Sequence, residues 1–185
     1  MDWKEQIKEY IPCNEQEEKD KEIILNCIET FDDILTRENR ICHITSSAFV
    51  VNKARDKALM VHHNIYNSWS WTGGHADGEE NLLGVAIREV QEETGVKGVK
   101  SISREIEALD ILHVIGHVKR GEYVSPHLHF SVAFLAEANE NEMLTVKDDE
   151  NSGVKWIPID EVNTYSNEPH MKKVYEKLIS KIKVQ

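Results

Sequence analysis

A chain of 185 residues with 40% hydrophobic and 30% charged side chains has room for one compact domain and a short extension. No apolar run approaches the roughly 20 residues that span a bilayer, and Met1-Asp2-Trp3-Lys4-Glu5 lacks the basic start and apolar stretch of a secretory signal, so a cytoplasmic protein is expected. The formal net charge of −11 repels extended nucleic acid at long range, but a small phosphorylated partner stays open, because a divalent cation reverses the field locally.

Cys13, Cys27 and Cys42 are odd in number, widely spaced and without a Cys-x-x-Cys pair. They imply neither a disulfide framework nor a thiolate zinc site, and Cys27 is expected in the core. The first forty residues read as helical and acidic. Ile24, Cys27, Ile28, Phe31, Ile34 and Leu35 recur at three- and four-residue steps as one apolar stripe, with Asn14 as N-cap and Glu17 three residues on. Residues 1–40 are therefore predicted to be a helical extension packed on a domain at 41–185. A homodimer face is the alternative use of the stripe.

Strand composition begins after Arg40, at 44–51 and 57–62, joined by a hairpin connection at 52–56. Residues 64–74 read as an aromatic loop with Tyr66, Trp69 and Trp71. After a helix at 81–94, two stretches with strand composition (102–118 and 124–135) flank a turn at 119–122. The last strand, 154–158, stops at Pro158. Asn167-Glu168-Pro169 opens a closing helix with Met171, Val174, Tyr175, Leu178 and Ile182 on one side. Strands and helices without regular βαβ alternation predict a mixed sheet with helices on its faces.

The chemistry concentrates in residues 74–96. Gly73, Gly74 and Gly78 make a loop free to adopt positive φ, Asn81 is a good N-cap, and Gly95 stands where a left-handed residue would end the helix. Leu83, Ala86, Ile87 and Val90 share one helical face. At about 100° per residue, Glu89, Glu92 and Glu93 fan over roughly 100° beside it. Three crowded carboxylates repel unless a cation sits among them, and oxygen-only ligands suit Mg²⁺ or Mn²⁺. A solvated acidic face is the plainer reading of that spacing alone.

The whole stretch resembles the Nudix box: a glycine, five residues, Glu, seven residues, then Arg-Glu-apolar-x-Glu-Glu-x-Gly-apolar. Gly74, Glu80, Arg88, Glu89, Val90, Glu92, Glu93, Gly95 and Val96 fill every specified position. A chance match is on the order of one in a billion per starting point. The resemblance implies an α/β/α sandwich around a mixed sheet and a metal-dependent hydrolase of diphosphate-linked small molecules. It also implies roles by position: Glu89, Glu92 and Glu93 as metal ligands, Arg88 as their brace, Glu80 as support from the helix start, and Gly74 and Gly95 as loop glycines. Many members of the family add a carboxylate from a later loop, as ligand or general base. Here Asp148-Asp149-Glu150 precede the tryptophan-containing strand, and Glu150 is the choice, with Asp149 next.

Thr72 stands where many members have proline, which costs no ligand. His127 and His129 fall on one side of a strand. They read as surface or substrate-contacting histidines, with a transition-metal site completed by His113 or His117 as the alternative. His62, His63 and His75 flank the box, each a candidate phosphate contact, and Gly74, His75 and His129 are the expected substrate-binding residues. Trp69 is expected to stack on a base. Two other activities of the fold are weighed: a non-catalytic nucleotide sensor, which usually loses box glutamates, and an isoprenoid diphosphate isomerase, which needs an active-site cysteine.

Overall fold

Capping and periodicity agree at the start of the chain, where residues 3–9 and 15–30 of the expected helical extension form helices and 31–40 do not. The computed structural model, which describes residues 2–119 and 121–184, opens with α1 (Trp3–Glu9) and α2 (Glu15–Thr30). Asn14 caps α2, its side chain accepting from the Glu17 N–H at 2.9 Å. The predicted stripe outruns the helix, however. Phe31 is extended (φ −115°, ψ 116°), and Asp32 and Asp33 follow: poor helix formers whose charge opposes the dipole at a helix C-terminus. Ile34 and Leu35 instead belong to a connecting segment tied down by its backbone. Their carbonyls accept from the N–H groups of Ile44 and Gly78, each at 2.9 Å.

Next come β1 (Cys42–Asn52), β2 (Lys57–His63), β3 (Ser68–Ser70), β4 (Thr72–His75), α3 (Leu82–Thr94), β5 (Lys100–Ser101) and β6 (Ala108–Val114). They are followed by β7 (His117–Lys119), β8 (Glu122–Val124), β9 (His127–Ala138), β10 (Asn151–Pro158), a short 3-10 turn, α4 (Val162–Tyr165) and α5 (Pro169–Val184). Eight strands form one mixed sheet. Strands β10, β2, β1, β9 and β5 run side by side, with β3 on β2, β4 on β1 and β6 on β9. β1 and β9 are parallel, from Cys42 opposite Leu128 to Asn52 opposite Ala138, and β4 is antiparallel to β1. β7 and β8 form a separate hairpin with Gly121 at φ +86°. Arg120, in the turn predicted there, lies outside the described residues.

Every residue of β1 is buried, as a strand covered on both faces must be. Ile44, Ala48 and Val50 share a core with Ile7 of α1, Ile24 of α2 and Leu82, Ala86 and Val90 of α3. On the other face Phe49 and Val51 pack with Met171, Val174, Tyr175 and Leu178 of α5. Helices thus cover both sides of a mixed sheet, the α/β/α sandwich expected. Ile24 and Ile34 are buried in the first of these cores, with Cys27, Ile28, Phe31 and Leu35 packed against it. The stripe offered as a homodimer face is therefore used within the chain. Cys27 is half-buried at the core margin, while Cys42 is the buried thiol.

Charge as well as apolar packing ties α2 down. Glu17 is fully buried, and its carboxylate accepts from the Tyr10 O–H at 2.6 Å, the Cys13 N–H at 2.8 Å and the Lys177 ammonium at 2.7 Å. Lys177, on α5, also pairs with Asp110 of β6. On the α5 face the covering stops short. His43, Thr45 and Ser47 of β1, with His129 and Ser131 of β9, continue that face into an open cavity. Among the described residues no helix is long and apolar enough to cross a membrane.

Candidate active site

The site depends on how closely α3 can approach β4. The loop predicted at 64–74 carries β3 and β4, and the paired glycines lie within β4, opposite Ser47 and Ser46. Of Gly73, Gly74 and Gly78, only Gly78 has positive φ (+89°), so conformational freedom is not what the other two provide. A Cβ on Gly73 would fall 2.1 Å from Ser47 Oγ, and one on Gly74 would fall 2.5 Å from the Glu89 carboxyl carbon. The missing side chain of Gly74 lets a helix carboxylate lie against strand backbone, and that of Gly73 leaves room for Ser47 on β1.

α3 is bounded as predicted. The Asn81 side chain accepts from the Gly84 N–H at 3.1 Å, and Gly95 closes the helix at φ +76°. Leu82, Val85, Ala86 and Val90 are its buried apolar residues, whereas Leu83 and Ile87 are only partly covered.

A cavity of about 950 Å³ gathers the acidic groups: Glu89, Glu92 and Glu93 from α3, with Glu150 from the segment before β10. Glu93 is 5% exposed and held at both oxygens, accepting from the Gly73 N–H and from Asn151 Nδ2, each at 2.9 Å. Burial pushes its carboxyl up to about 7, against the pull of those two hydrogen bonds. Burial, then the neighbouring Glu92, also raises Glu89. Arg88 reaches across the group, bonded to Glu79 and lying 3.8 Å from Glu89 and 3.7 Å from Glu92. Lys147 is 2.8 Å from Glu150 and 4.0 Å from Glu92.

The sequence did not point to three of these partners. Glu79, not Glu80, receives the arginine, while Glu80 is exposed at the helix start. Asn151 lands on Glu93 beside a register shift between Asn151 and Gly153, where β10 pairs with β2. Its only sequence signal is that it adjoins Glu150. Lys147 precedes the acidic run that drew attention to Glu150. Asp149, the second choice for the added carboxylate, is not among the lining residues.

The aromatic expectation needs correction. Trp69 does not line the cavity, because its ring is taken up elsewhere. It meets His62 edge-on at 5.3 Å, and the Lys155 ammonium lies 4.3 Å from its centroid. Tyr66 and Trp71 line the cavity instead. His75 and His129 both line it, with ring centroids 5.0 Å apart. His127 Nε2 is 3.1 Å from His129 Nε2, but His113, offered as their companion, packs on His170 at 4.7 Å. Burial, then the surrounding histidines, holds His129 far below the usual imidazole range, so it is neutral. None of the three cysteines lines the cavity, which leaves the isomerase reading without its thiol.

Mutually repelling carboxylates that offer only oxygen, with Glu93 buried, Glu89 half-buried and Glu92 exposed, are a donor set suited to a hard divalent cation. The profile of the NUDIX domain matches residues 43–178. The protein named MutT4 in Mycobacterium tuberculosis is 32% identical over 117 residues, which is 62% of this chain and 43% of that one, so the chain spans less than half of that relative. Among solved structures, the MutT protein of Methanosarcina mazei Go1 superposes with a TM-score of 0.58 at 15% identity, over 80% of this chain and 99% of that one. A C. elegans Ap4A hydrolase gives 0.56 at 15% identity, over 76% and 99%. At such identities the structures speak for the fold alone.

Proposed function

Because this chain belongs to the NUDIX domain family, we propose that it is a divalent-metal-dependent pyrophosphohydrolase. It would cleave a nucleoside-diphosphate-linked or other organic pyrophosphate small molecule by attack of water on phosphorus. The observation that carries this reading is the gathering of Glu89, Glu92, Glu93 and Glu150 in one cavity beside the Gly73–Gly74 strand.

Glu89, Glu92 and Glu93 would hold Mg²⁺ or Mn²⁺. A cation held by them would supply charge neutralisation for the diphosphate and a lowered pKa for the attacking water. The chain's own groups do the rest. Arg88 keeps Glu89 and Glu92 from splaying apart. The Gly73 N–H and Asn151 fix the rotamer of Glu93, and fixed ligands are what precise positioning of reactants requires. Glu150 accepts the proton of the attacking water, with Lys147 holding it in place until substrate arrives. Gly74, His75 and His129 face the substrate. Trp69, packed on Lys155 and His62, has no part in it.

A panel of nucleoside diphosphate derivatives, screened with Mg²⁺ and with Mn²⁺, tests the proposal when run beside Glu92→Gln/Glu93→Gln. Turnover of one compound class by the wild type, falling at least about a hundredfold in the variant, is expected. Silence from both proteins in both metals would overturn the catalytic reading and favour the nucleotide sensor.

A further inference from the structure

Eight of the nine histidines line the same cavity as the glutamates. Three strands deliver their imidazoles to one place. His43 and His129 are direct partners across the parallel β1–β9 pairing. β4, running beside β1, brings His75 opposite Thr45. The ligand nitrogens of His43, His75 and His129 all lie within 4.8 Å of one another.

Their hydrogen bonds fix which nitrogens are bare. His43 is 3% exposed, and its Nδ1 lies 2.9 Å from the Asn39 carbonyl. A carbonyl can only accept, so Nδ1 carries the proton and Nε2 keeps its lone pair. That Nε2 is buried and has no hydrogen-bond partner. His127 also turns its Nδ1 to a carbonyl, 2.8 Å from that of Ser125, so its Nε2 keeps the lone pair and accepts from His129 Nε2 at 3.1 Å. A buried, unpartnered acceptor is costly, and a carbonyl behind the distal nitrogen is the usual support of a metal-bound imidazole.

We propose that His43, His75 and His129, with His127 beside them, bind a first-row transition ion of the Zn²⁺ class at a site separate from the box glutamates. Neutral imidazole donors suit Zn²⁺, Co²⁺, Ni²⁺ and Cu²⁺ and neglect Mg²⁺, whereas the carboxylates have the opposite preference. The two sets are thus told apart by ligand chemistry although they share one cavity. Three imidazoles leave a tetrahedral ion one position open, and the contact assigned above to His75 and His129 would then reach a phosphate oxygen through the ion. The site does not depend on the hydrolase reading, since it is read by metal binding alone.

The experiment titrates metal-free full-length protein with Co²⁺ alone, following visible d–d absorption, and with Zn²⁺ in competition. Expected is one equivalent with a tetrahedral spectrum, displaced by Zn²⁺ and retained in Glu92→Gln/Glu93→Gln. In His129→Gln the affinity should fall at least tenfold. Binding lost in the glutamate variant and kept in His129→Gln would overturn the proposal, as would no binding to the wild type. A folding defect in a variant cannot mask the answer, because X-ray absorption of wild-type protein with one equivalent of Zn²⁺ needs no substitution. Imidazole nitrogens at about 2.0 Å are expected, and a shell of oxygen alone would refute the site.

Discussion

Glu93 carries the sharpest single-residue consequence of this fold. Its carboxyl is raised from 4.5 to about 7 by burial, so the protonated form is the one that metal-free protein accommodates. A raised folded pKa contributes stability below the unfolded value and loses it as pH rises through the folded value. Metal-free protein should therefore weaken between pH 4.5 and about 7, by at most about 3 kcal/mol at 1.36 kcal/mol per unit. Glu93→Gln removes the titration while keeping an acceptor for the Gly73 N–H. Denaturant unfolding in EDTA at pH 5 and pH 8 should show a marked loss in the wild type and a much flatter variant. Parallel losses in the two proteins would assign the pH dependence to another group. The box spacing made Glu93 legible in the sequence, but not its tuning. Its partners come from residues 73 and 151, and only the folded chain brings those to one carboxylate.

Between elements, the tie from α2 to α5 and β6 through Glu17, Lys177 and Asp110 was invisible in the sequence for a similar reason. Glu17 read as the N3 residue of a capped helix, and its backbone N–H does serve that role. Its carboxylate points elsewhere, to a lysine 160 positions away. Burial alone would raise Glu17, yet hydrogen bonds from the Cys13 N–H, Lys177 and the Tyr10 O–H hold it below its ordinary range. Lys177→Met should strand two buried carboxylates and cost about 3–5 kcal/mol, read as a lower midpoint in urea with an unchanged slope. A loss below 1 kcal/mol would mean that Tyr10 and backbone donors suffice. Elements with local signals were readable: α3 between Asn81 and Gly95, α5 from Pro169, and β1 from its apolar run. β4 was not, because glycine is a poor strand former and its place beside β1 follows from packing against Glu89. The histidine cluster was half-read for the same reason: alternation joined His127 to His129, while His43 joins them only through the parallel pairing with β1.

Taken as a whole, the molecule bears on where its domain begins. The sequence suggests a boundary near residue 40, and the NUDIX profile begins at residue 43. Folding units are defined by shared burial, however, and Trp3, Ile7, Tyr10, Ile24 and Ile34 are buried in the same core as Ile44 and Phe130. At about 1.5–3 kcal/mol for each large apolar side chain, these five contribute on the order of 8–15 kcal/mol. That rivals the entire stability of an ordinary domain, about 5–15 kcal/mol. Removing them would also bare the apolar face of β6, against which α2 packs, and leave Lys177 and Asp110 without Glu17. We therefore propose that residues 1–40 are part of the folding unit rather than an appendage. A chain starting at Ile41 should lose cooperative unfolding and aggregate, as followed by circular dichroism and size exclusion. A monodisperse, cooperatively unfolding fragment would instead place the boundary where the sequence alone suggests it.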